Sequence, residues 1–250
     1  LRICVLGSGS AGNAILVEAP KGYLLVDAGF SWREIKARAR RAGFDLRGID
    51  ALILTHEHAD HTRGLPTLYR RGTTVVASPG TLRALGHRFR RAVPLNGDLE
   101  LLGLRIHAFP VPHDAAEPRG LTLTSGGSRV GIATDLGEVT HLVMEELSGC
   151  KALVFEANHD LEMLLSGPYP WALKLRILGP LGHLSNDAAG EALAELADSV
   201  SAVFIAHLSQ ENNRPGLALE TVARYLGRWD GALYLTYPNR PSAVLDLGTL

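Results

Sequence analysis

LTHEHADHT, residues 54–62, follows directly on the apolar run DALI of residues 50–53. Three of the chain's ten histidines and an aspartate fall within six positions here, at the end of what the preceding run predicts to be a buried strand. His56 and His58 are two apart, so an extended backbone sends both side chains from the same face. Asp60 and His61 come next, where Thr62 and Leu65 suggest that a helix begins. Four donors on a strand-to-helix turn can therefore converge on a small volume. Imidazole and carboxylate together suit zinc, manganese or iron, and the lack of cysteine argues against a closed structural zinc site. A lone surface histidine is usually structural; this spacing after an apolar strand points to metal.

Four adjacent positions cannot close the shells of two ions, so further donors should stand at other strand ends. His113 follows FPVP, Asp135 ends GIATD, and His207 ends VFIAH. Each stands where a scaffold strand hands a side chain to a loop. Singly they also read as a turn residue, a helix cap and a buried hydrogen-bonded imidazole. Together they complete the count for a two-metal site.

Strand-like runs recur at 2–6, 14–19, 22–29, 50–56, 73–78, 104–111, 120–125, 129–135, 152–157, 202–208 and 232–237. Helical patterns cover 32–42, with Trp32, Ile35 and Ala39 on one face, 185–198, with Ser185 or Asn186 as N-cap, and 216–228 after Pro215. This order predicts two sheets with helices packed outside, in one domain over residues 1–250. A hydrophobic content of 46% with 20% charged residues excludes a disordered chain. No apolar run reaches the ~18 residues that span a bilayer. The opening LRICVLGSGS reads as a strand running into a Gly/Ser turn without a long apolar h-region, and Cys4 and Cys150 show no CxxC spacing, so a cytoplasmic rather than exported protein is expected.

Charge divides unevenly. Residues 1–105 hold 16 Lys/Arg against 9 Asp/Glu, and residues 106–250 hold 9 against 17. The positive stretches are 32–47 and 83–91. They read either as solubilising arginine, since Arg outnumbers Lys 21 to 4, or as a face for a phosphate backbone.

Asp27 in LLVDAG, then His56-His58-Asp60-His61, His113, Asp135 and His207 stand in the order that marks metallo-β-lactamase-fold hydrolases, which the chain resembles over almost its whole length. GSGSAGNAILVE (7–18), FEANHDLEML (155–164), GPYPWALKLRI (167–177), GHLSN (182–186) and AHLSQENN (206–213) resemble the YycJ/WalJ-like branch, associated with exonuclease action on DNA. The resemblance implies an α/β fold, an αββα sandwich of two mixed β-sheets flanked by helices. It implies two divalent ions, Zn2+ or Mn2+, one on His56, His58 and His113, the other on Asp60, His61 and His207, with Asp135 bridging. Asp27 would stand behind them and bond the histidine loop, while Glu57 and Ala59 point away.

Two such ions ~3.5–4 Å apart lower the pKa of a shared water, which supplies a hydroxide without a Ser or Cys nucleophile. The electrophile is a carbonyl or a phosphodiester; metals alone do not choose. Glu156 and His183 resemble the pair of tRNase Z-like nucleases, in which the His protonates the departing oxygen. Catalysis is accordingly assigned to Asp60, Glu156 and His183. The expected function is a dinuclear metal-dependent phosphodiesterase, a 5′-to-3′ DNA exonuclease with nucleic acid as partner and no membrane. The alternatives are a lactonase or glyoxalase II type hydrolase, an RNA-processing nuclease, or a binding module that has kept the fold. The chain has no room for a β-CASP insertion and shows no long exosite arm. Recognition would then fall to its own surface.

Secondary expectations complete the reading. Lys174, Arg176 and Arg119 are candidates for substrate phosphates, as are the amides of the helix start at Ser185-Asn186. GSGSAGN is expected as a tight turn beside the metals, with Asn13 or Ser10 making backbone hydrogen bonds. Trp32 and Tyr169 are assigned to packing rather than base stacking, His159 to a helix opening, and His87, His107 and His141 to surface or core packing.

Overall fold

The structure is a computed structural model and describes residues 1–249 apart from 87, 88, 90 and 91. Its first sheet contains β1 (Arg2–Gly7), β2 (Ala14–Ala19), β3 (Gly22–Val26), β4 (Ala51–Leu54), β5 (Thr74–Ala77), β6 (Val93–Pro94) and β14 (Leu245–Asp246), in the order 14-1-2-3-4-5-6. The second contains β7 (Asp98–Leu101), β8 (Leu104–Pro110), β9 (Arg119–Ser125), β10 (Ser128–Ala133), β11 (Ala152–Glu156), β12 (Ala202–Ala206) and β13 (Ala232–Leu235), in the order 13-12-11-10-9-8-7. Each sheet starts antiparallel, where short turns join β1 to β3 and β7 to β10, and continues parallel. Parallel neighbours need crossovers. In the first sheet these are α1 (Trp32–Arg41), α2 (Ala59–Thr62), α3 (Leu65–Arg70) and α4 (Pro79–Leu85). In the second they are α5 (His141–Leu147), α6 (Leu161–Ser166), α7 (Trp171–Leu178), α8 (Asn186–Leu196) and α9 (Pro215–Leu226).

Alternation along each strand divides the core into layers. Ile3, Val5, Val26 and Ile53 meet Ile106, Leu121, Val154 and Phe204 between the sheets. Cys4, Leu6 and Leu52 face outward onto Ile35 and Ala39 of α1 and Leu65 and Leu68 of α3. Leu153, Phe155 and Ile205 face outward onto Val143, Leu193 and Val222 of the other helices. The expected αββα sandwich with two mixed sheets is the fold observed. Ser185, not Asn186, caps α8, accepting from the Ala188 amide.

The structure adds β6, β7 and β14, which the sequence does not announce. The first and last are two residues long, and β7 exposes Asp98 and Glu100. It also stops several strands short of the expected ends. β3, β10 and β12 finish before Asp27, Asp135 and His207, whose φ angles are 61°, 58° and 55°. A left-handed residue cannot continue a strand. Residues 171–178 are helical, with Lys174 turned inward. No helix of the described residues is long and apolar enough to cross a membrane.

Candidate metal centre

β3 and β4 run parallel in one sheet, and β8, β10, β11 and β12 share a direction in the other. Their C-terminal ends therefore lie along one edge of the sandwich. That edge receives Asp27, the 55–61 turn, His113, Asp135, Glu156 and His207. Three of these ends carry the left-handed residues named above, a conformation costing ~1–3 kcal/mol each for a non-glycine residue and held only by surrounding bonds.

Those bonds are visible. Asp27 Oδ1 accepts from the Thr55 amide at 2.9 Å, and its Oδ2 accepts from His61 Nδ1 at 2.8 Å. Thr55 Oγ1 lies 3.1 Å from His56 Nδ1, His113 Nδ1 donates to the Gly182 carbonyl at 3.2 Å, and His207 Nδ1 donates to Glu156 Oε1 at 2.9 Å. An outward bond from one ring nitrogen fixes the tautomer and leaves the other as a ligand. Gly29 lets the two loops meet, since a Cβ there would collide with the Asp60 carbonyl. Asn13 does border the site, as expected. Its Oδ1 accepts from the Gly9 amide at 2.9 Å, and its Nδ2 lies 3.0 Å from His61 Nε2 and 3.3 Å from Asp60 Oδ2.

The free nitrogens and carboxylates converge. His56 Nε2 and His58 Nδ1 face each other at 3.0 Å. His61 Nε2 is 3.5 Å from Asp60 and 3.3 Å from Asp135; His207 Nε2 is 3.8 Å and 3.3 Å from the same two carboxylates. Among the described residues, four overlapping groups have ligand atoms within 4.8 Å of one another: His56-His58-His113, His56-His61-Asp135, Asp60-His61-His207 and Asp135-His183-His207. All seven expected ligands belong to them.

The donor set fits divalent metal. His113 Nε2, His207 Nε2 and Asp135 Oδ2 are buried without a hydrogen-bond partner among the described residues. Buried polar atoms are nearly always satisfied, and all three residues belong to the overlapping groups just described. Burial, then neighbouring histidines, push His56 well below the usual imidazole range, and burial also lowers His113, so both offer lone pairs at neutral pH. Burial disfavours charge on His207, yet Asp135, Asp60 and Glu156 lift it to about 10. The negative charge that attracts a proton there is the charge a divalent cation would neutralise.

Glu156 and His183 stand beside this set. Burial disfavours the Glu156 carboxylate, but His183 and His207 outweigh it and hold the carboxyl far below its ordinary range. Its Oε1 accepts from His183 Nδ1 at 2.8 Å, and its Oε2 from the Leu136 amide at 2.9 Å. Burial lowers and Glu156 raises His183, with a net rise. The sequence did not suggest that one oxygen would serve both His183 and His207.

Several secondary assignments change. Glu57 does point away from the cluster, but it is not idle: Oε1 accepts from the Ala116 amide at 2.7 Å and holds the loop after His113. Lys174 is buried and donates to the Leu165 and Gly167 carbonyls at 2.6 and 2.7 Å, so it cannot hold a phosphate. Arg176 is paired with Asp114, and Arg119 with Glu117. Residues 158–164 do open a helix, α6, with Asp160 as its cap; His159, one position before the cap, is buried, and neither ring nitrogen has a hydrogen-bond partner among the described residues. Tyr169 is half-buried and lines a cavity beside His183 instead of the core. Trp32 packs as expected, under the Arg71 guanidinium. His107 lies between Asp98 and Glu146 at 2.9 and 3.2 Å, and His141 is exposed. His87 and most arginines of the 83–91 stretch lie outside the described residues. Sequence reading missed Thr55, Ser8 and Asn158. Ser8 Oγ accepts from the His207 amide at 2.9 Å, and Asn158 Nδ2 donates to the His207 carbonyl at 2.8 Å. Only their nearness to the motifs could have singled them out.

Fold and donor set together define the metallo-β-lactamase superfamily, and the chain belongs to it: residues 23–207 match the family described as beta-lactamase superfamily domain. Within it, the chain is 36% identical over 236 residues to exodeoxyribonuclease YycJ of Bacillus anthracis, covering 90% of this chain and 89% of the relative. It is 33% identical over 260 residues to exodeoxyribonuclease WalJ of Streptococcus pneumoniae, covering 98% and 97%. Among solved structures, the metallo-β-lactamase fold protein YhfI of Bacillus subtilis superposes with a TM-score of 0.74 at 15% identity, covering 98% and 99%.

Proposed function

We propose that the chain is a metal-dependent exodeoxyribonuclease, a phosphodiesterase that removes nucleotides from the 5′ end of DNA in the cytoplasm, acting as one domain over residues 1–250. The observation that carries this reading is the bond between His183 Nδ1 and Glu156 Oε1, 2.8 Å long, at the rim of the His/Asp cluster. A phosphodiester leaves as a poor alkoxide and gains most from a positioned proton donor. Likeness to two proteins named exodeoxyribonuclease over nearly the whole chain supports the same reading.

In this reading His56, His58 and His113 would hold one divalent ion and Asp60, His61 and His207 the other, with Asp135 available to both. Zn2+ and Mn2+ both suit this set of ligands. When bound, such ions stabilise charge on phosphoryl oxygens and acidify water. His183, its Nδ1 committed to Glu156, presents Nε2 to the departing O3′ and gives it a proton. Glu156 keeps that imidazole charged and oriented. Burial disfavours the Asp60 carboxylate, but the nearby imidazoles of His207 and His61 outweigh it and keep it ionised, placed to orient the attacking water and take its proton.

The test is digestion of end-labelled single- and double-stranded DNA and RNA with Mn2+ or Zn2+ supplied. The expected result is early release of a 5′ label from DNA as mononucleotide, abolished by His183→Ala. Internal cuts, or hydrolysis of lactones and thioesters with DNA left intact, would overturn the proposal.

A further inference from the structure

A cavity of about 220 Å³ adjoins His183 and is lined by Ser10, Asp114, Tyr169, Leu173, Arg176 and Ile177 among others. Its walls differ. Leu173 and Ile177 of α7 and the Tyr169 ring are apolar, while Ser10 and Ser209 add polar lining. The Arg176–Asp114 pair adds a charged wall. The volume lies below the ~300–1,000 Å³ of pockets that enclose drug-sized ligands, so the space suits one ring system rather than a run of nucleotides.

Tyr169 is unusually well held for a loop residue. It stands between Pro168 and Pro170, whose rings fix their own φ and bias the residues before them to extended backbone. Lys174, buried under the same loop, clamps the carbonyls of Leu165 and Gly167. Its charge is thereby spent on holding the connection between α6 and α7. A flat ring in a preset position, facing a cavity that shares His183 with the reacting groups, suits an aromatic ligand that arrives with the scissile phosphate.

We infer that this cavity seats the terminal nucleoside of the substrate, with Tyr169 stacking on its base and Ser10 and Ser209 facing its sugar. The inference rests on the nuclease reading and deepens it: a site filled by one base counts nucleotides off an end, and the nucleoside it holds carries the O3′ that His183 protonates. Tyr169 acts as a positioning residue, because stacking is tolerant of which base is present.

The test is a cycle between protein and substrate, using oligonucleotides ending in a normal or an abasic nucleotide. Metal-free binding is read by fluorescence anisotropy, and KM and kcat are read with Mn2+. Tyr169→Ala should raise Kd and KM for the normal end about tenfold, with Tyr169→Phe close to wild type. The abasic end should bind wild type about tenfold more weakly. The two losses should coincide rather than multiply, so that Tyr169→Ala no longer distinguishes the ends. Equal affinity of wild type for both ends, or multiplied losses, would overturn the seat while leaving the exonuclease reading intact. Wild type that neither binds nor cuts DNA would sink both.

Discussion

Asp27 touches no reacting atom, yet its two oxygens hold the Thr55 amide and His61 Nδ1 at 2.9 and 2.8 Å, both in buried surroundings. Removing an acceptor from two buried donors loosens the whole histidine turn. Asp27→Ala is expected to lower metal affinity about 10–100-fold, measured by competition with a chelator. An unchanged affinity would mean that the turn supports itself. His183 is a different kind of residue. His183→Ala should lower kcat on DNA by about 10²–10⁴ with metal content intact, read by mass spectrometry of the protein's metals. Loss of metal in that variant would instead make His183 a ligand, a role its reach to Asp135 and His207 permits.

At the level of elements, the site depends on how strands stop and helices start. Left-handed Asp27, Asp135 and His207 turn the chain out of β3, β10 and β12 toward a common edge. α1 begins just past Gly29 with a capping box: Ser31 Oγ accepts from the Glu34 amide, and Glu34 accepts from the Ser31 amide at 3.1 Å. Ser31→Ala should cost about 1 kcal/mol in urea unfolding at neutral pH. The Ser31 bonds hold the Glu34 carboxyl below its ordinary value of 4.5. A carboxyl lowered on folding contributes fully above its unfolded pKa and loses its contribution as pH falls through the folded value. The stability difference between wild type and Ser31→Ala should therefore shrink in acid; a difference constant with pH would show that Glu34 plays no part.

The whole molecule meets at the metal centre, because the first sheet supplies residues 56–61 and the second supplies His113, Asp135 and His207. A ligand that binds only the folded state stabilises it by about 4 kcal/mol at a thousand times its Kd. Chelation should accordingly lower Tm by on the order of 10 °C, followed by differential scanning fluorimetry. An unmoved Tm would argue that the donors hold no ion. On the outer face of the first sheet, α1 carries Arg33, Lys36, Arg40 and Arg41, all exposed and in no ion pair among the described residues. If that face follows DNA phosphates, log affinity falls steeply with log salt, and each replacement by Ala reduces the slope by about 0.7–0.9. Slopes that the replacements leave unchanged would assign these residues to solubility.

The seven candidate donors and the layered α/β plan were legible because they rest on residue types at or just past strand ends, readable from local pattern; the pairing of Glu156 with His183, which lies between α7 and α8, came only from the resemblance to tRNase Z-like nucleases. Lys174, Tyr169 and Glu57 were not. Nothing in their neighbours along the chain says that the first turns inward, that the second faces a cavity, or that the third holds a loop 59 positions away. Residue chemistry is written one position at a time and decided what the site could be made of. Distance is a property of packing: Ser8 reaches the His207 amide at 2.9 Å across 199 positions, and only the closed sandwich brings such partners within bonding range.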